Sequence, residues 1–319
     1  MSNVLEIKNL DLYFKEDDNN YQALYDINLN LEKGELHALV GESGCGKTMT
    51  AMSILRLLPK KAFIKKGSII FNEMDLLNCK ESEIRKIRGN KIVLIPQDPM
   101  TSLNPLYTVG NQLIETIMLH LKVNKHQAMR KAREVMDMVK IPKPEEKMNM
   151  YPHEFSGGMK QRIIIANALI GKPDLIIADE PTTALDVTIQ KQIMDLLSEI
   201  KEEYSTTILL ISHDLALVSN YADKITVMYS GKIVEQAASK EFFKNPIHPY
   251  SNALLNSLPS VKTAGKLNTI TGFPPSIKEN ISGCKFYPRC KYFEESLCDK
   301  EIPQLSERGN NHYCACLKF

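Results

Sequence analysis

Apolar and polar residues alternate along LEIKNLDLYF (Leu5–Phe14) and along ALYDINLNLEKGE (Ala23–Glu35). A period of two predicts two strands with one buried face, the second ending at Gly34. ELHALV (Glu35–Val40) does not alternate. It is a short apolar run between glycines, the pattern of a strand buried on both faces. MTAMSILRLL (Met49–Leu58) has helical spacing and is expected to stop at Pro59. KIVLIP (Lys91–Pro96), DLIIAD (Asp174–Asp179) and TTILLIS (Thr206–Ser212) read as further buried strands. KITVMYSGKIVEQ (Lys224–Gln236) reads as a strand, a Ser230-Gly231 turn and a returning strand. The roughly 75 residues from Gln97 to Pro173 are mostly helical in pattern, as in HQAMRKAREVMDMV (His126–Val139). Strands alternating with helices imply an α/β fold, and the insertion at about 97–172 implies a helical subdomain. Near Pro246 the periodicity weakens while Pro, Asn, Ser and Cys become frequent. That change predicts a main domain over 1–245 and a C-terminal extension over 246–319. No internal repeat or low-complexity tract is evident.

Composition narrows the function. With 43% apolar residues in 319, the chain has material for a large core. A formal net charge of +2 gives no support for nucleic acid as a partner. No apolar run approaches the ~20 residues that span a bilayer. The opening MSNVLEIKNL lacks a basic stretch followed by an apolar one, so no secretory leader is expected and a cytoplasmic location is. Disulfides rarely persist there, which changes the meaning of the seven cysteines. Cys45 and Cys79 stand alone, whereas Cys284, Cys290, Cys298, Cys314 and Cys316 fall in the last 36 residues. A thiol cluster in a reducing compartment points to metal. The gaps from Cys284 to Cys290 and from Cys290 to Cys298 are longer than the pairs of a zinc ribbon. Zinc and an iron–sulfur cluster both stay open on spacing alone.

The chemistry concentrates in GESGCGKT (Gly41–Thr48), a full G-x-x-x-x-G-K-[ST] match between a strand and a helix. Its glycines let the backbone wrap phosphate oxygens, and the helix beginning near Lys47 adds its positive end. Lys47 is placed to reach the β- and γ-phosphates, and Thr48 to offer its hydroxyl to Mg²⁺. Cys45 contributes a backbone N–H there, and its position suggests an oxidation-sensitive thiol. LIIADEP (Leu175–Pro181) is an apolar strand ending in two acids. Asp179 suits Mg²⁺, and Glu180 suits polarising an attacking water. FSGGMKQR (Phe155–Arg162) opens a helix from Met159 to Ile170 with Ser156 as a good N-cap, a second anion-binding surface. ISHD supplies His213 after a buried strand, in reach of a γ-phosphate.

Together these stretches resemble the ATPase subunits of ABC transporters over roughly residues 4 to 260. The match comprises a Walker A loop (Gly41–Thr48), a Q-loop (Gln97), a signature (Ser156, Gly157, Gly158, Met159, Lys160), a Walker B strand (Leu175–Glu180), a D-loop (Ala184, Leu185, Asp186) and a switch histidine (His213). The resemblance implies a P-loop α/β core with an antiparallel β region, a helical subdomain and a cysteine-rich extension. It implies catalysis by Glu180, His213 and Lys47. ATP contacts are implied for Gly41, Glu42, Ser43, Gly44, Cys45, Gly46, Lys47, Thr48, Met49, Gln97, Ser156, Gly157, Gly158, Met159 and Asp186. Mg²⁺ is assigned to Thr48, Gln97 and Asp179. Phe14 falls where the family stacks an aromatic on adenine, with Tyr13 and Tyr21 as alternatives. The signature has Phe155 for leucine and Met159 for glutamine, but its Ser-Gly-Gly centre is intact.

QDPMTSLNP (Gln97–Pro105), YPHEFSGGMKQR (Tyr151–Arg162), ADEPTTALDVTIQ (Ala178–Gln190) and HPYSNALLNSLP (His248–Pro259) narrow the resemblance to the oligopeptide/dipeptide permease ATPases. That group implies a second ATPase subunit, expected to be a paralogue, two transmembrane permease subunits and an extracellular peptide-binding protein. It places the chain at the cytoplasmic face of the membrane. Some members carry a [4Fe–4S] cluster in a tail similar to this one, which selects Cys284, Cys290, Cys298 and Cys316 as ligands and leaves Cys314 spare. Two competing expectations are a soluble ABC-type ATPase and an importer of another small solute such as nickel. The soluble kind typically has two cassettes or a long coiled coil, whereas this chain has one cassette and no sustained heptads.

Overall fold

A computed structural model describes residues 3–257, 270–279 and 281–319. The chain divides into two compact units, Met1–Asn78 with Ile211–Phe319, and Cys79–Leu210.

The first unit begins with two long strands, β1 (Asn3–Glu16) and β2 (Asn19–Glu32), paired antiparallel. Their apolar alternation changes phase midway. Leu5 and Ile7 are buried, then Leu10 and Leu12; Leu24 is buried, then Ile27, Leu29 and Leu31. The register slips between Ile7 and Leu10, where Asn9 takes a left-handed φ of 49° facing Asp26 at 50°. A bulge adds one residue, and one residue exchanges the faces. Side-chain hydrogen bonds hold it: Asn9 Nδ2 donates to Asp26 Oδ1 (2.8 Å), and the Asp26 N–H donates to Asp11 Oδ1 (2.8 Å). The next elements are β3 (Leu36–Val40), buried throughout, then α1 (Lys47–Ile54), β4 (Ala62–Phe71) and the short β5 (Met74–Asp75). The antiparallel sheet runs β2-β1-β4-β5.

Helix α1 stops well short of Pro59. Arg56 adopts φ 50°, its N–H donates to Ser53 O (3.1 Å), and the Leu57 N–H reaches back to Met52 O (3.0 Å). This crossed pair of bonds closes the helix with a non-glycine residue in the left-handed position.

The second unit holds α2 (Glu81–Ile87), β6 (Ile92–Ile95), α3 (Pro99–Ser102), α4 (Val109–Leu121), α5 (Lys125–Met138), α6 (Pro144–Lys147), α7 (Gly157–Leu169), β7 (Leu175–Asp179) and α8 (Val187–Tyr204). Strands β6 and β7 pair in parallel, in register from Ile92↔Leu175 to Ile95↔Ala178. Helix starts are set by side chains: Thr108 accepts from the Asn111 N–H, Asn124 forms a capping box with Gln127, and Asp186 accepts from the Ile189 N–H. Arg162 fastens the helices by donating to Val139 O (2.7 Å) and Gln192 Oε1 (3.1 Å).

Strand β8 (Thr207–Ser212) carries the chain back to the first unit, which continues with α9 (Leu215–Tyr221), β9 (Lys224–Tyr229), β10 (Lys232–Ala238), α10 (Ser239–Lys244) and α11 (Pro249–Asn256). Two-residue strands β11 (Ser306–Glu307) and β12 (Tyr313–Cys314) follow. Strand β9 is parallel to β3 and antiparallel to β10, and β12 extends the ladder at β10, with Glu235 opposite Cys314. Ser230 (φ 43°) and Gly231 (φ 78°) make the two-residue hairpin turn whose twist suits the strands. A Cβ on Gly231 would lie 2.2 Å from Ala23 O, so the close approach admits only glycine.

The motif HPYSNALLNSLP ends at Leu258 and Pro259, outside the described residues, as do 260–269 and Asn280 of the expected extension.

Candidate active site

In the first unit, the fully buried β3 delivers the chain into Gly41–Gly46, and α1 starts at Lys47 with left-handed Gly46 (φ 108°) as its N-cap. No side chain caps α1. The left-handed φ of Gly46 favours glycine there, and an added Cβ would also push on Leu24 Cδ2 at 2.6 Å. Lys47 is 5% exposed, and its Nζ donates to Gly41 O (2.7 Å) and Glu42 O (3.0 Å). The loop is therefore closed on its own lysine. Ser43 and Gly44 are exposed, and Thr48 and Met49 half-buried.

The expectation of an oxidation-sensitive Cys45 does not hold. Its side chain is buried, and burial pushes the thiol up more than the nearby Lys47 ammonium pulls it down. A thiol kept protonated is a poor nucleophile. What the loop uses is the Cys45 backbone: its carbonyl accepts from the Gly231 N–H (2.9 Å).

His213 follows β8 and is exposed. Phe14 sits opposite Tyr21 in the β1–β2 ladder, and both are half-buried. Tyr13 is otherwise engaged, stacked on Phe63 (5.9 Å) with its hydroxyl donating to Gln22 Oε1 (2.8 Å).

In the second unit, β7 ends at Asp179 (6% exposed), and Glu180 follows with a left-handed φ of 48°. A non-glycine residue there is strained, and such strain concentrates at functional positions. Glu180 Oε2 accepts from Gln97 Nε2 (2.9 Å) and from Thr183 Oγ1 (3.0 Å). The structure thus joins two residues that the sequence leaves 83 apart, and adds Thr183, which carried no signal in the motif.

Ser156 caps α7 by accepting from the Met159 N–H (3.4 Å), and it is exposed. Gly158 faces α8 so closely that a Cβ would lie 2.6 Å from Ile189 Cγ2. The second signature glycine is therefore required by packing. Met159 is half-buried, and Asp186 spends its carboxylate on the α8 N-cap (3.0 Å to Ile189 N).

The extension has its own site in the first unit. Cys284, Cys290, Cys298 and Cys316 line one small apolar cavity with His248, Phe286 and Tyr287. Cys314 is fully buried in β12, and the cavity's lining does not include it. Burial pushes the Cys284 thiol up to about 11, and its three cavity neighbours add to that. Among the described residues no group of three or more His, Cys, Asp or Glu is placed to hold a metal ion. Four thiols around one cavity are a donor set that fits either a four-iron cluster or zinc.

Sequence reasoning missed Arg289 and Tyr250. Arg289 donates to both carboxylate oxygens of Glu42, at 2.7 and 3.0 Å, and Tyr250 Oη accepts from the Glu42 N–H (2.9 Å). The arginine lay in the tail match, but nothing in a sequence pairs positions 247 apart.

Residues 24–183 match the ABC transporter family, and residues 234–298 match the oligopeptide/dipeptide transporter C-terminal region. Relatives include a probable peptide ABC transporter ATP-binding protein of Sinorhizobium fredii (45% identical, 98% of this chain and 94% of the relative). The oligopeptide transport ATP-binding protein OppD of Escherichia coli is 45% identical over 99% of this chain and 93% of its own. The dipeptide transport protein DppD of Bacillus subtilis is 44% identical over 99% and 95%. Among solved structures, the dimeric cassette MJ0796 in a post-hydrolysis state with ADP and Pi is 26% identical, with a TM-score of 0.66 over 74% of this chain and 98% of that one.

Proposed function

Because the chain belongs to the ABC transporter ATP-binding subunits of the oligopeptide/dipeptide type, we propose that it hydrolyses ATP to drive import of di- or oligopeptides. The observation that carries the reading is Glu180 at the end of a buried strand, its carboxylate oriented by Gln97 and Thr183. A carboxylate fixed in this way polarises water without reorganising at the moment of reaction.

The roles divide as follows. The amides of the Gly41–Thr48 loop other than that of Glu42, whose N–H donates to Tyr250 Oη, hold the phosphates with Lys47, and Phe14 lies against the adenine. Lys47 exchanges its loop carbonyls for phosphate oxygens, a stronger, charge-assisted pairing. The Thr48 hydroxyl, the Gln97 amide oxygen and the Asp179 carboxylate are each an oxygen donor of the kind that suits Mg²⁺. When bound, Mg²⁺ neutralises charge on the β- and γ-phosphates. The α7 start at Ser156–Met159, with Ser156 exposed, meets the ATP held by a second subunit, and His213 contacts the γ-phosphate from its own side. The dimeric state of the solved MJ0796 cassette supports that composite arrangement. Asp186, committed to its cap, acts by holding the turn that follows Glu180.

The partners are a paralogous ATPase subunit, two transmembrane permease subunits and an extracellular peptide-binding protein, and the chain sits on the cytoplasmic face of the membrane. Among the described residues no helix is long and apolar enough to cross a membrane. Cys284, Cys290, Cys298 and Cys316, which line one cavity, hold a [4Fe–4S] cluster with a structural role: the tail has few long apolar runs, and a metal centre adds folding energy to such a segment.

The test is purification from native membranes through a tag on this chain. Two polytopic membrane proteins and a second ATPase subunit are expected to accompany it. A soluble complex without membrane subunits would favour an ATPase uncoupled from transport.

A further inference from the structure

Glu42 is the second residue of the phosphate loop, and each of its polar groups is engaged. Its carbonyl accepts from Lys47 Nζ (3.0 Å). Its N–H donates to Tyr250 Oη (2.9 Å), and Tyr250 is a fully buried residue of α11. Its carboxylate is gripped by the Arg289 fork at 2.7 and 3.0 Å. Two of these three anchors come from beyond position 245.

Arg289 is itself fixed. Its side chain is 5% exposed. Nε donates to Thr271 O (3.0 Å), Nη1 also reaches Tyr229 Oη (3.3 Å), and the guanidinium lies 5.8 Å from the Tyr229 ring centroid. Tyr229 packs edge-on against Tyr250 (4.6 Å) and Phe286 (5.1 Å), and Phe286 lines the cysteine cavity. A planar fork bound at both ends fixes direction as well as distance, which an ammonium does not do.

We propose that Arg289, with Tyr250, is a positioning residue for the phosphate loop: the C-terminal extension holds Glu42 so that the Gly41 and Glu42 carbonyls and Lys47 keep the geometry that receives the phosphates of ATP. Loop amides bind phosphate well when held in place beforehand, since ordering them on binding costs affinity. The extension thus acts on the ATP site within its own chain. This rests on the reading of Gly41–Thr48 as the phosphate site, and the experiment separates the two.

The test measures MgATP affinity of the intact chain by titration with a fluorescent ATP analogue, with circular dichroism confirming the fold. Arg289→Ala is expected to weaken binding by about tenfold, and Arg289→Lys to recover only part. Glu42→Ala should give a similar loss and the double variant no further one, because both break one coupled pair. In the membrane assembly the KM for ATP should rise by the same factor while kcat at saturation changes less than about twofold. A merely structural tail contact would lower the amount of folded protein without this split. Wild-type affinity in folded Arg289→Ala, or losses that add in the double variant, overturns the proposal. Should Arg289→Ala not fold, Glu42→Gln carries the test, since it keeps the backbone anchors and removes only the charge; unchanged affinity there overturns the proposal equally. Lys47→Ala separates the two readings. Lost binding there with a normal Arg289→Ala defeats the positioning role alone, whereas normal binding in Lys47→Ala defeats the phosphate-site reading and this one with it.

Discussion

His248 makes the stability of the α11 region depend on pH in a way that can be worked out. It is the N-cap of α11, its Nδ1 accepting from the Tyr250 N–H (3.1 Å), and its own N–H donates to Glu235 Oε2 (2.9 Å). The ring is 1% exposed with Phe286 5.9 Å away. Burial drives its pKa from 6.5 down to about 3, only partly opposed by the bond to the Ala315 backbone. Since the folded value is depressed, the neutral ring's contribution is fully present above pH 6.5 and falls as pH drops from there toward 3. Between about pH 7 and pH 5 the loss amounts to about 2 kcal/mol, at 1.36 kcal/mol per unit. Protonation also puts a hydrogen on the nitrogen that accepts from Tyr250, so the helix loses its cap. His248→Asn keeps a capping acceptor but does not titrate in this range. Urea unfolding of the intact chain, followed by far-UV circular dichroism at both pH values, should show wild type losing about 2 kcal/mol more than the variant. Equal losses in the two proteins would refute the assignment of a neutral, buried His248.

Glu180→Gln should leave MgATP binding within about twofold of wild type and reduce hydrolysis by orders of magnitude, read as single-turnover phosphate release; hydrolysis near the normal rate would remove Glu180 from the role. Anaerobically purified protein should be brown with about four irons per chain. Serine at Cys284, Cys290, Cys298 or Cys316 should lose the iron, while Cys314→Ser keeps it. Stoichiometric zinc would replace the cluster with a tetrathiolate site, and free thiols without metal would defeat both.

The sequence made the local chemistry legible. The Gly41–Gly46 loop leading into α1, the Ser156 cap and the end of β7 at Asp179 are set by neighbours in the chain, so the local pattern and the backbone coincide. The long strands were legible from alternation, but their change of phase at Asn9 and Asp26 was not, because a bulge depends on which residue faces which across two strands. The early end of α1 was hidden because Arg56 takes a left-handed position usually left to glycine. Strands β5, β11 and β12 have two residues each, too few to carry a period, and exist through their partners. The links to Glu42 from Tyr250 and Arg289 span more than 200 positions and follow from the tertiary packing of Tyr229, Tyr250 and Phe286.

The most direct test of peptide-driven ATP hydrolysis is the rate measured in vesicles holding the chain with its co-purified membrane subunits, with and without peptide-loaded binding protein. Hydrolysis is expected to rise severalfold with loaded binding protein and to vanish in Glu180→Gln, while the isolated monomeric chain stays slow because it lacks the opposing Ser156 surface. Full activity in the isolated monomer, or a vesicle rate indifferent to peptide, would contradict it.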